Sequence, residues 1–413
     1  MIFITGYKLF GFIDVNAPVL IYNDRWYSLD PLFHSSSFWE GFTYQHGPHR
    51  MGFAYLLFSI TSYLSDWNSR WDMFLQAAIY VVCALMALRL KFLIFQKMHW
   101  TDVLIPCIFI TIQSAVSVTF NPYIHGLMPF FALALGLCYY IRPNILRVFA
   151  FSIIAAVGIF SGFVLFVSVC FIAIQTLVLI KTAQYQKLFI FLPLPIIAWL
   201  YLSLSQVHSM KPELTNDISY YLEYGTLLSC NFLLNGRSIF WPYILLACIS
   251  VFTFLIISNV RSLWAHPMRV SAIFSLLIVP PLLFILANII SRADIGMANA
   301  LTSRYIPVTM TLVFGVYLML LKITNRYYLQ GFLLVVFTSV ILRFQFTPMP
   351  ARTERIITLS KNIKDWEKCL LQGNTYNNCK SKTNLPLKHN GNKKSLQEKI
   401  DFLKANKLNI FKE

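Results

Sequence analysis

Long apolar runs recur from Trp71 to Phe346, separated by short segments that are rich in polar and charged residues. A helix needs about 20 mostly apolar residues to cross the ~30 Å hydrocarbon core of a bilayer. The runs predict ten membrane-spanning helices, at approximately Trp71–Leu90, Val103–Phe120, Ile124–Tyr140, Val148–Phe160, Phe163–Ile180, Leu188–Leu204, Pro242–Ser258, Val270–Ile290, Tyr305–Leu321 and Leu329–Phe346. The pattern therefore predicts an all-α polytopic membrane protein.

Two apolar segments near the start are shorter than a full span. Met1–Phe12 is either a re-entrant or interfacial piece or part of a first helix that begins upstream, so a first spanning helix is absent or partial. Met51–Tyr63 is about 13 residues long, which is typical of a helix that lies in the headgroup plane. Pro48 precedes it at a position that suits a first helical turn.

The run Val148–Ile180 contains a predicted break. As one helix it would be ~50 Å long, well beyond the bilayer core. Ser161-Gly162 supplies the break point. With the break, one side of the membrane carries eleven basic residues, for which we expect no acidic partner: Arg89, Lys91, Lys97, Arg142, Arg147, Lys181, Lys187, Arg261, Arg269, Lys322 and Arg326. That side is predicted to be cytoplasmic.

Composition supports a membrane protein. Hydrophobic residues make up 57% of the chain and charged residues only 12%, against about 25% charged residues in soluble domains. The net charge of +17 is explained by basic cytoplasmic loops and a basic tail. Because no nucleic-acid-binding module accompanies it, we expect no nucleic-acid partner.

Three regions follow from the pattern: residues 1–70 hold the N-terminal segment and a first extracytoplasmic loop, 71–346 the helical bundle, and 347–413 a basic tail on the same outer face. The tail has 14 Lys and Arg against 6 Asp and Glu. Ile356, Leu359, Ile363, Trp366 and Leu370 recur at intervals of three and four residues and predict an amphipathic helix that can lie on the membrane-proximal face.

Cysteines fall into two groups. Six lie in or beside apolar runs and are expected to be buried small side chains: Cys83, Cys107, Cys138, Cys170, Cys230 and Cys248. Cys369 and Cys379 stand apart in the polar tail, where an oxidising compartment would allow a disulfide and a reducing one two free thiols.

Arg292, Asp294 and Arg304 flank two predicted helix ends on the outer face. They are either side chains that reach the membrane interface or a cationic binding site for a lipid-linked phosphate, in which Asp294 orients an arginine. Arginine suits phosphate because its planar guanidinium bonds bidentately and keeps its charge.

His46, His49 and Arg50 precede the short apolar segment. They either contact lipid headgroups or hold a phosphate at the start of a helix, where backbone N–H groups favour anions. A divalent-metal site is a further alternative, in which the two histidines and exposed acids of the folded loop would be the ligands. No third ligand is near them in sequence.

Acids of the first loop are candidate general bases for group transfer. Asp24 lies among Tyr22, Asn23 and Trp26, and Glu40 follows Trp39, in aromatic surroundings typical of sugar binding and of headgroup contact alike. Asp30 is the third candidate. A carboxylate there could take the proton of an acceptor hydroxyl.

The layout and two motifs resemble the GT-C superfamily of integral-membrane glycosyltransferases. More specifically, the chain resembles uncharacterised bacterial members with an "EHR" or "PHR" element before a short juxtamembrane helix and a later "GR…SRY" element. Here these read His46-Gly47-Pro48-His49-Arg50 and Ser291-Arg292…Ser303-Arg304-Tyr305, with Pro48 where "EHR" has Glu. The resemblance implies a polyprenyl-phosphate sugar donor and, as in such members, a cysteine pair in the outer tail. Such families carry a catalytic acid in the first outer loop, but this chain has no adjacent acidic pair there.

Three functions are weighed. A glycosyltransferase would use Asp24, Asp30 or Glu40 as base and Arg50, Arg292 and Arg304, with His49, as phosphate ligands. A lipid or glycolipid flippase is the alternative, but the predicted spans hold few ionisable residues and no internal repeat, which disfavours ion-coupled transport. The third possibility is a non-catalytic membrane scaffold or an O-antigen-polymerase-like enzyme, although such polymerases tend to carry one central outer loop larger than Ser205–Phe240. We expect membrane lipids as partners in every case.

Overall fold

The computed structural model describes residues 1–21, 25–34, 36–46, 49–114, 123, 126–141, 144–205, 217–229, 231, 269–322, 327–346, 350–382 and 393–412. Within these ranges the protein is almost entirely helical, and its β-structure is one two-stranded hairpin. The all-α prediction is therefore confirmed. The predicted span Pro242–Ser258 lies outside the described residues.

The first region contains α1 (Ile2–Asn16), α2 (Arg25–Ser28), α3 (Asp30–Phe33), α4 (Phe38–Phe42), strands β1 (Gln45–His46) and β2 (His49–Arg50), and α5 (Phe53–Leu64). The bundle contains α6 (Arg70–Phe95), α7 (Leu104–Phe109), α8 (Leu127–Cys138), α9 (Ile145–Ile159), α10 (Val164–Lys181), α11 (Tyr185–Phe191), α12 (Pro193–Leu204), α13 (Ile218–Ser229), α14 (Arg269–Arg292), α15 (Met297–Ala300), α16 (Ile306–Lys322) and α17 (Tyr327–Phe346). The tail contains α18 (Pro350–Leu371), α19 (Tyr376–Lys382) and α20 (Lys393–Ala405).

Short 3₁₀ turns join several helices, at Trp100–Val103, Ile112–Ser114, Ala293–Ile295, Ser303–Tyr305 and Asn409–Phe411. Helix α6 packs on α1, α7 and α8, and α14 packs on α10, α13 and α16. Four helical stretches in the described ranges are long and apolar enough to cross a membrane: Arg70–Phe95, Val164–Lys181, Tyr185–Leu204 and Val270–Ile295. The chain thus has the helices of a membrane protein.

The break at Ser161-Gly162 is confirmed. Helix α9 ends at Ile159 and α10 begins at Val164. Gly162 has a φ of +58°, a left-handed conformation that glycine adopts without a steric penalty. The two helices fold back on each other because the chain reverses here.

Two predicted spans are less regular than expected. The prediction of one helix over Val103–Phe120 is wrong in its described part, because α7 ends at Phe109 and Ile110 leaves the helical conformation (φ −107°, ψ 79°). The Nε2 atom of Gln345, on α17, donates a 3.1 Å hydrogen bond to the carbonyl of Ile110 that the break exposes. The predicted span Leu188–Leu204 bends at Leu192, where α11 meets Pro193 of α12.

One basic residue of the predicted cytoplasmic side is not solvated. Lys91 is buried, and its ammonium lies 2.6 Å from the carboxylate of Asp102. Tyr317 donates a 2.7 Å hydrogen bond to the same carboxylate. The expectation that these basic residues lack an acidic partner is therefore wrong for Lys91, since a buried ammonium requires a partner.

The tail packs against the first region. Helix α18 buries Ile356, Ile363, Trp366 and Leu370, which confirms the predicted amphipathic helix, but its apolar face contacts protein, including α1. Cys369 and Cys379 form a disulfide that closes a loop after this helix. Farther along, Asn409 Nδ2 donates to the carbonyl of Val19 at 2.9 Å.

Candidate functional site

The hairpin from Gln45 to Arg50 forms the first wall of the candidate site. Gln45 pairs with Arg50 and His46 with His49 across an antiparallel ladder; residues 47 and 48, including Pro48, lie outside the described residues. Two further backbone bonds close the base, from Met51 N to Tyr44 O (2.9 Å) and from Gly52 N to Phe42 O (2.8 Å). The ladder therefore places His46 and His49 opposite each other on the two strands.

Gly52 ties the hairpin to the turn between α9 and α10. Its φ is +48°, and a Cβ atom there would lie 2.3 Å from the carbonyl oxygen of Phe160. Phe53 N donates to Ser161 Oγ at 2.9 Å, and Gly162 N donates to Arg50 O at 3.0 Å. Only glycine fits this close approach of two backbones.

Arg50 serves this scaffold. Its guanidinium donates to the carbonyl of Thr43 at 2.6 Å and to both the carbonyl and, at 3.0 Å, the hydroxyl of Ser205 at the end of α12. Two of its nitrogens are thus occupied by protein oxygens. These contacts favour a structural role for Arg50 over the predicted phosphate-binding role.

Arg292 meets the hairpin at His49. One guanidinium nitrogen lies 3.5 Å from His49 Nε2, and the other donates to the Tyr305 hydroxyl at 3.1 Å. The His49 ring packs edge-on against Phe163, with ring centres 4.3 Å apart. The two motifs singled out in the sequence, 243 residues apart at this contact, therefore form one site.

Arg304 is the second cation of the site. It donates to Asn299 Oδ1, and Asn299 Nδ2 donates to the Tyr224 hydroxyl at 2.8 Å. Its guanidinium carbon lies 5.0 Å from the centre of the Tyr305 ring. Its Nε atom is buried and has no hydrogen-bond partner among the described residues. An unpartnered buried N–H is costly, so a ligand oxygen at this point would be favourable.

His49 is uncharged in this environment. Burial, which has the largest effect, and the nearby charges of Arg292, His46 and Arg304 together lower its pKa to about 3. A neutral imidazole has one donor and one acceptor nitrogen. His49 can therefore contact an anion without adding a third positive charge.

Asp294 does not orient either arginine. It is exposed on the 3₁₀ turn after α14, and across the described ranges no carboxylate lies within ion-pair distance of Arg292 or Arg304. The partners of the two arginines are neutral groups on Tyr305, Asn299 and His49. Asp294 is exposed on the turn, and no ion pair in the described ranges supports the predicted role of orienting an arginine.

Two of the three predicted bases have structural contacts. Asp30 lies 2.5 Å from the ammonium of Lys399 in the tail. Glu40 is exposed and completes a capping box: it accepts a 2.8 Å bond from Ser37 N, which lowers its pKa. Asp24 lies outside the described residues. No hydrogen bond or ion pair between described residues joins Asp30 or Glu40 to the arginines.

His46 connects the hairpin to the neighbourhood of Asp30. Its ring centre is 6.3 Å from that of Tyr27, and Lys399 Nζ lies 5.8 Å from the centre of the same Tyr27 ring. His46 therefore borders the site on the side of the tail, while His49 borders the arginines.

Several side chains of the site carry little signal in the sequence. Tyr305 and Asn299 hold the arginines, and Lys399 neutralises Asp30. Tyr305 belongs to the motif Ser303-Arg304-Tyr305 but has no role predicted from the sequence, whereas Asn299 and Lys399 act through tertiary contacts. Asp72, near the start of α6, is buried and paired with Arg25, and it also contacts Thr61.

A metal site is not formed in the described part of the chain, where no three His, Cys, Asp or Glu side chains cluster. The donor set that is present, two guanidinium groups and a neutral imidazole, suits an anion. Guanidinium cannot act as a metal ligand while it carries its charge.

Comparisons with known proteins add no relative: no family model, curated protein or solved structure matches this chain.

Proposed function

We propose that this protein is a membrane glycosyltransferase that moves a sugar from a polyprenyl-phosphate donor to an acceptor on the extracytoplasmic face of a bacterial inner membrane. In this proposal, Arg292 and Arg304 hold the phosphate and His49 contacts it as a neutral group. The acceptor is a glycan, lipid or protein of the cell envelope.

The observation that carries the proposal is an arginine pair that has no acidic partner among the described residues. Both side chains are half-buried, and their recorded partners are neutral. Two cations brought together in a partly desolvated place repel each other unless an anion lies between them. A phosphate satisfies both, since guanidinium bonds phosphate oxygens bidentately.

Position in the fold favours a lipid-linked ligand over a free one. Arg292 is the last residue of α14, and the stretch Val270–Ile295 is one of the candidate membrane spans. Phe284 of this helix packs against Phe163 and Tyr305, with ring centres 4.7 and 5.6 Å apart. These three rings are buried and fix the end of the helix, whereas Leu286 and Ile290 in its last two turns are 53% and 52% exposed. A phosphate at the arginines would therefore lie at the end of a helix whose exposed apolar side chains can contact a prenyl chain.

Exposed aromatic rings near the hairpin fit a sugar. Trp39 is 49% exposed and packs edge-on against Tyr201 and Phe160, with ring centres 5.5 and 5.9 Å apart. Sugars stack their C–H faces on such rings. Of the three acids considered as base, Asp24 keeps this role in the proposal, because Asp30 is paired with Lys399 and Glu40 caps a helix.

The proposal is tested by sugar transfer in proteoliposomes. Arg292→Gln and Arg304→Gln are each compared with the wild type, using a panel of polyprenyl-phosphate hexoses and pentoses as donors and membrane extract as acceptor. Loss of a group that stabilises developing phosphate charge costs about 10²–10³-fold in rate. We expect a loss of this size in each variant.

Arg70→Gln is the matched control, because Arg70 forms an exposed ion pair with Asp14 away from the arginine pair. It should transfer sugar at close to the wild-type rate. Undiminished transfer in both Arg292→Gln and Arg304→Gln would remove the phosphate-binding role. Lipid flipping by the wild type without any sugar donor would favour the flippase alternative.

A further inference from the structure

Helix α18 carries a stripe of exposed residues that the proposed function does not use. Its members are Ile357, Lys361, Lys364, Lys368 and Leu371, spaced by four, three, four and three residues, and all are exposed. At 3.6 residues per turn this spacing places them on one face of the helix. We call this the lysine stripe.

The opposite face of α18 is already occupied. Ile363 and Trp366 are fully buried in the protein core, and Glu367, on the flank, accepts a 2.8 Å hydrogen bond from Leu20 N. These contacts fix the rotation of the helix. The lysine stripe must therefore face outwards, contrary to the expectation that the apolar face lies on the membrane.

The stripe lies at the level where a candidate membrane span begins. Lys364 Nζ donates a 2.9 Å bond to the carbonyl of Val15, near the end of α1. The preceding residue, Asp14, is paired at 2.6 Å with Arg70, the first residue of α6. Trp71 follows and is 58% exposed, as is typical of tryptophan at the membrane–water interface.

Two lysines of the stripe form no ion pair in the described part of the chain. Among the described residues, neither Lys361 nor Lys368 lies within 4 Å of a carboxylate. Asp365 is exposed at the edge of the stripe and pairs with neither lysine. The ammonium groups of Lys361 and Lys368 are thus available to anions, and Lys364, which donates one hydrogen bond to Val15 O, keeps further N–H donors.

From this arrangement we infer that the lysine stripe binds the headgroups of anionic phospholipids in the outer leaflet. The lysines contact lipid phosphates, and Ile357 and Leu371, 51% and 56% exposed at the two ends, enter the boundary between headgroups and acyl chains. Basic segments beside a span are attracted to anionic lipid surfaces within about a Debye length. The inference does not depend on sugar transfer.

Lysine acylation followed by mass spectrometry tests the inference on the wild-type full chain. The protein is placed in nanodiscs of phosphatidylcholine alone or of an equimolar mixture with phosphatidylglycerol. We expect the acylation rates of Lys361, Lys364 and Lys368 to fall at least ~3-fold with phosphatidylglycerol and to recover at high salt, which screens exposed charges. Lys404, an exposed residue of α20 in the same tail, should not change.

Two results would overturn the inference. Equal acylation of the stripe in both kinds of nanodisc would show that anionic lipid does not cover it. An equal fall at Lys404 would show general attraction of the basic tail without a site. Protection by a soluble anionic polymer in phosphatidylcholine nanodiscs, with none from phosphatidylglycerol, would point to a polymer and also contradict it.

A charge-removing variant provides an independent measurement. The triple variant Lys361→Gln, Lys364→Gln, Lys368→Gln should retain at least ~2-fold less phosphatidylglycerol than the wild type after detergent purification, whereas Lys404→Gln should retain the wild-type amount. Each substitution lies on an exposed surface, so the fold is expected to persist. Equal retention in the triple variant would contradict the inference.

Discussion

A guanidinium nitrogen of Arg292 lies 3.5 Å from the Nε2 atom of His49. This contact joins the end of a long apolar helix to the hairpin of the first region. It also brings a permanent cation against an imidazole that must stay neutral. The chemical character of the site follows from this contact and from the second cation, Arg304, which shares Tyr305 with Arg292.

The low pKa of His49 predicts an acid-sensitive fold. Its pKa is about 3 in the folded protein and about 6.5 in the unfolded chain. Between these values only the unfolded chain takes up the proton, so stability falls as pH drops from about 6.5 towards 3 and is unaffected by this group at higher pH. His49→Gln should flatten the decline in Tm between pH 7 and pH 4. Parallel Tm curves for variant and wild type would contradict the assignment.

Gly52→Ala should destabilise the protein by roughly 1–3 kcal/mol, the usual cost of a strained backbone with a steric clash. The added Cβ would meet the Phe160 carbonyl at 2.3 Å in a conformation with φ of +48°. Gly11→Ala is the matched control, since a Cβ there has no neighbour within 4 Å and alanine favours a helix by about 0.5–1 kcal/mol. Thermal unfolding in detergent checks both. Equal Tm values for the two variants would show that the hairpin is not docked as described.

Lys399→Met should detach the tail from the first region. The Lys399 side chain is only 5% exposed and contacts Asp30 at 2.5 Å and the Trp26 carbonyl at 2.9 Å. Removing the lysine leaves both oxygens without their cation, and we expect a loss of about 2–4 kcal/mol. Limited proteolysis should then cut the tail faster. Asp30→Asn, which keeps the Trp26 contact, should have a smaller effect; an equal effect would show that the carbonyl contact contributes little.

Loss of the disulfide should destabilise the tail specifically. Cys369 and Cys379 are 10 residues apart, and a loop of this size corresponds to roughly 2–3 kcal/mol in the chain-entropy model. The double variant Cys369→Ser, Cys379→Ser should show faster hydrogen exchange in α18 and α19 than the wild type. Exchange in α14 should be unchanged. Uniform acceleration over the whole chain would instead indicate that the tail and bundle unfold as one unit.

The sequence predicts those features that depend on local pattern. The apolar runs predict most of the helices. The excessive length of one run predicts the break at Ser161-Gly162, and the spacing of apolar residues from Ile356 to Leu370 predicts the amphipathic helix of the tail. The position of the site residues His49, Arg292 and Arg304 on one face follows from counting spans. The interruption after Phe109 could not be predicted this way, because its exposed carbonyl is satisfied by Gln345, which is distant in sequence.

The roles of individual charges depend on tertiary partners. Arg50 and Arg292 are alike in the sequence, but Arg50 bonds Thr43 and Ser205 of the scaffold. Among the described residues, Arg292 contacts the Tyr305 hydroxyl and the His49 ring. The sequence predicts Lys91 to be a solvated loop charge, but the structure pairs it with the buried Asp102. The sequence makes Asp30 a candidate base, but in the structure Lys399 of the tail forms an ion pair with it. Charge type is evident from the sequence, but the partner that decides its function is not.

The central claim is that Arg292 and Arg304 together bind a lipid-linked phosphate. Its most direct test is the affinity of the detergent-solubilised protein for farnesyl monophosphate, compared with the uncharged farnesol, by microscale thermophoresis. The wild type should bind the phosphate at least ~10-fold more tightly than farnesol, and the double variant Arg292→Gln, Arg304→Gln should lose this preference while Arg70→Gln keeps it. A double variant that still prefers farnesyl monophosphate as strongly as the wild type would contradict the account.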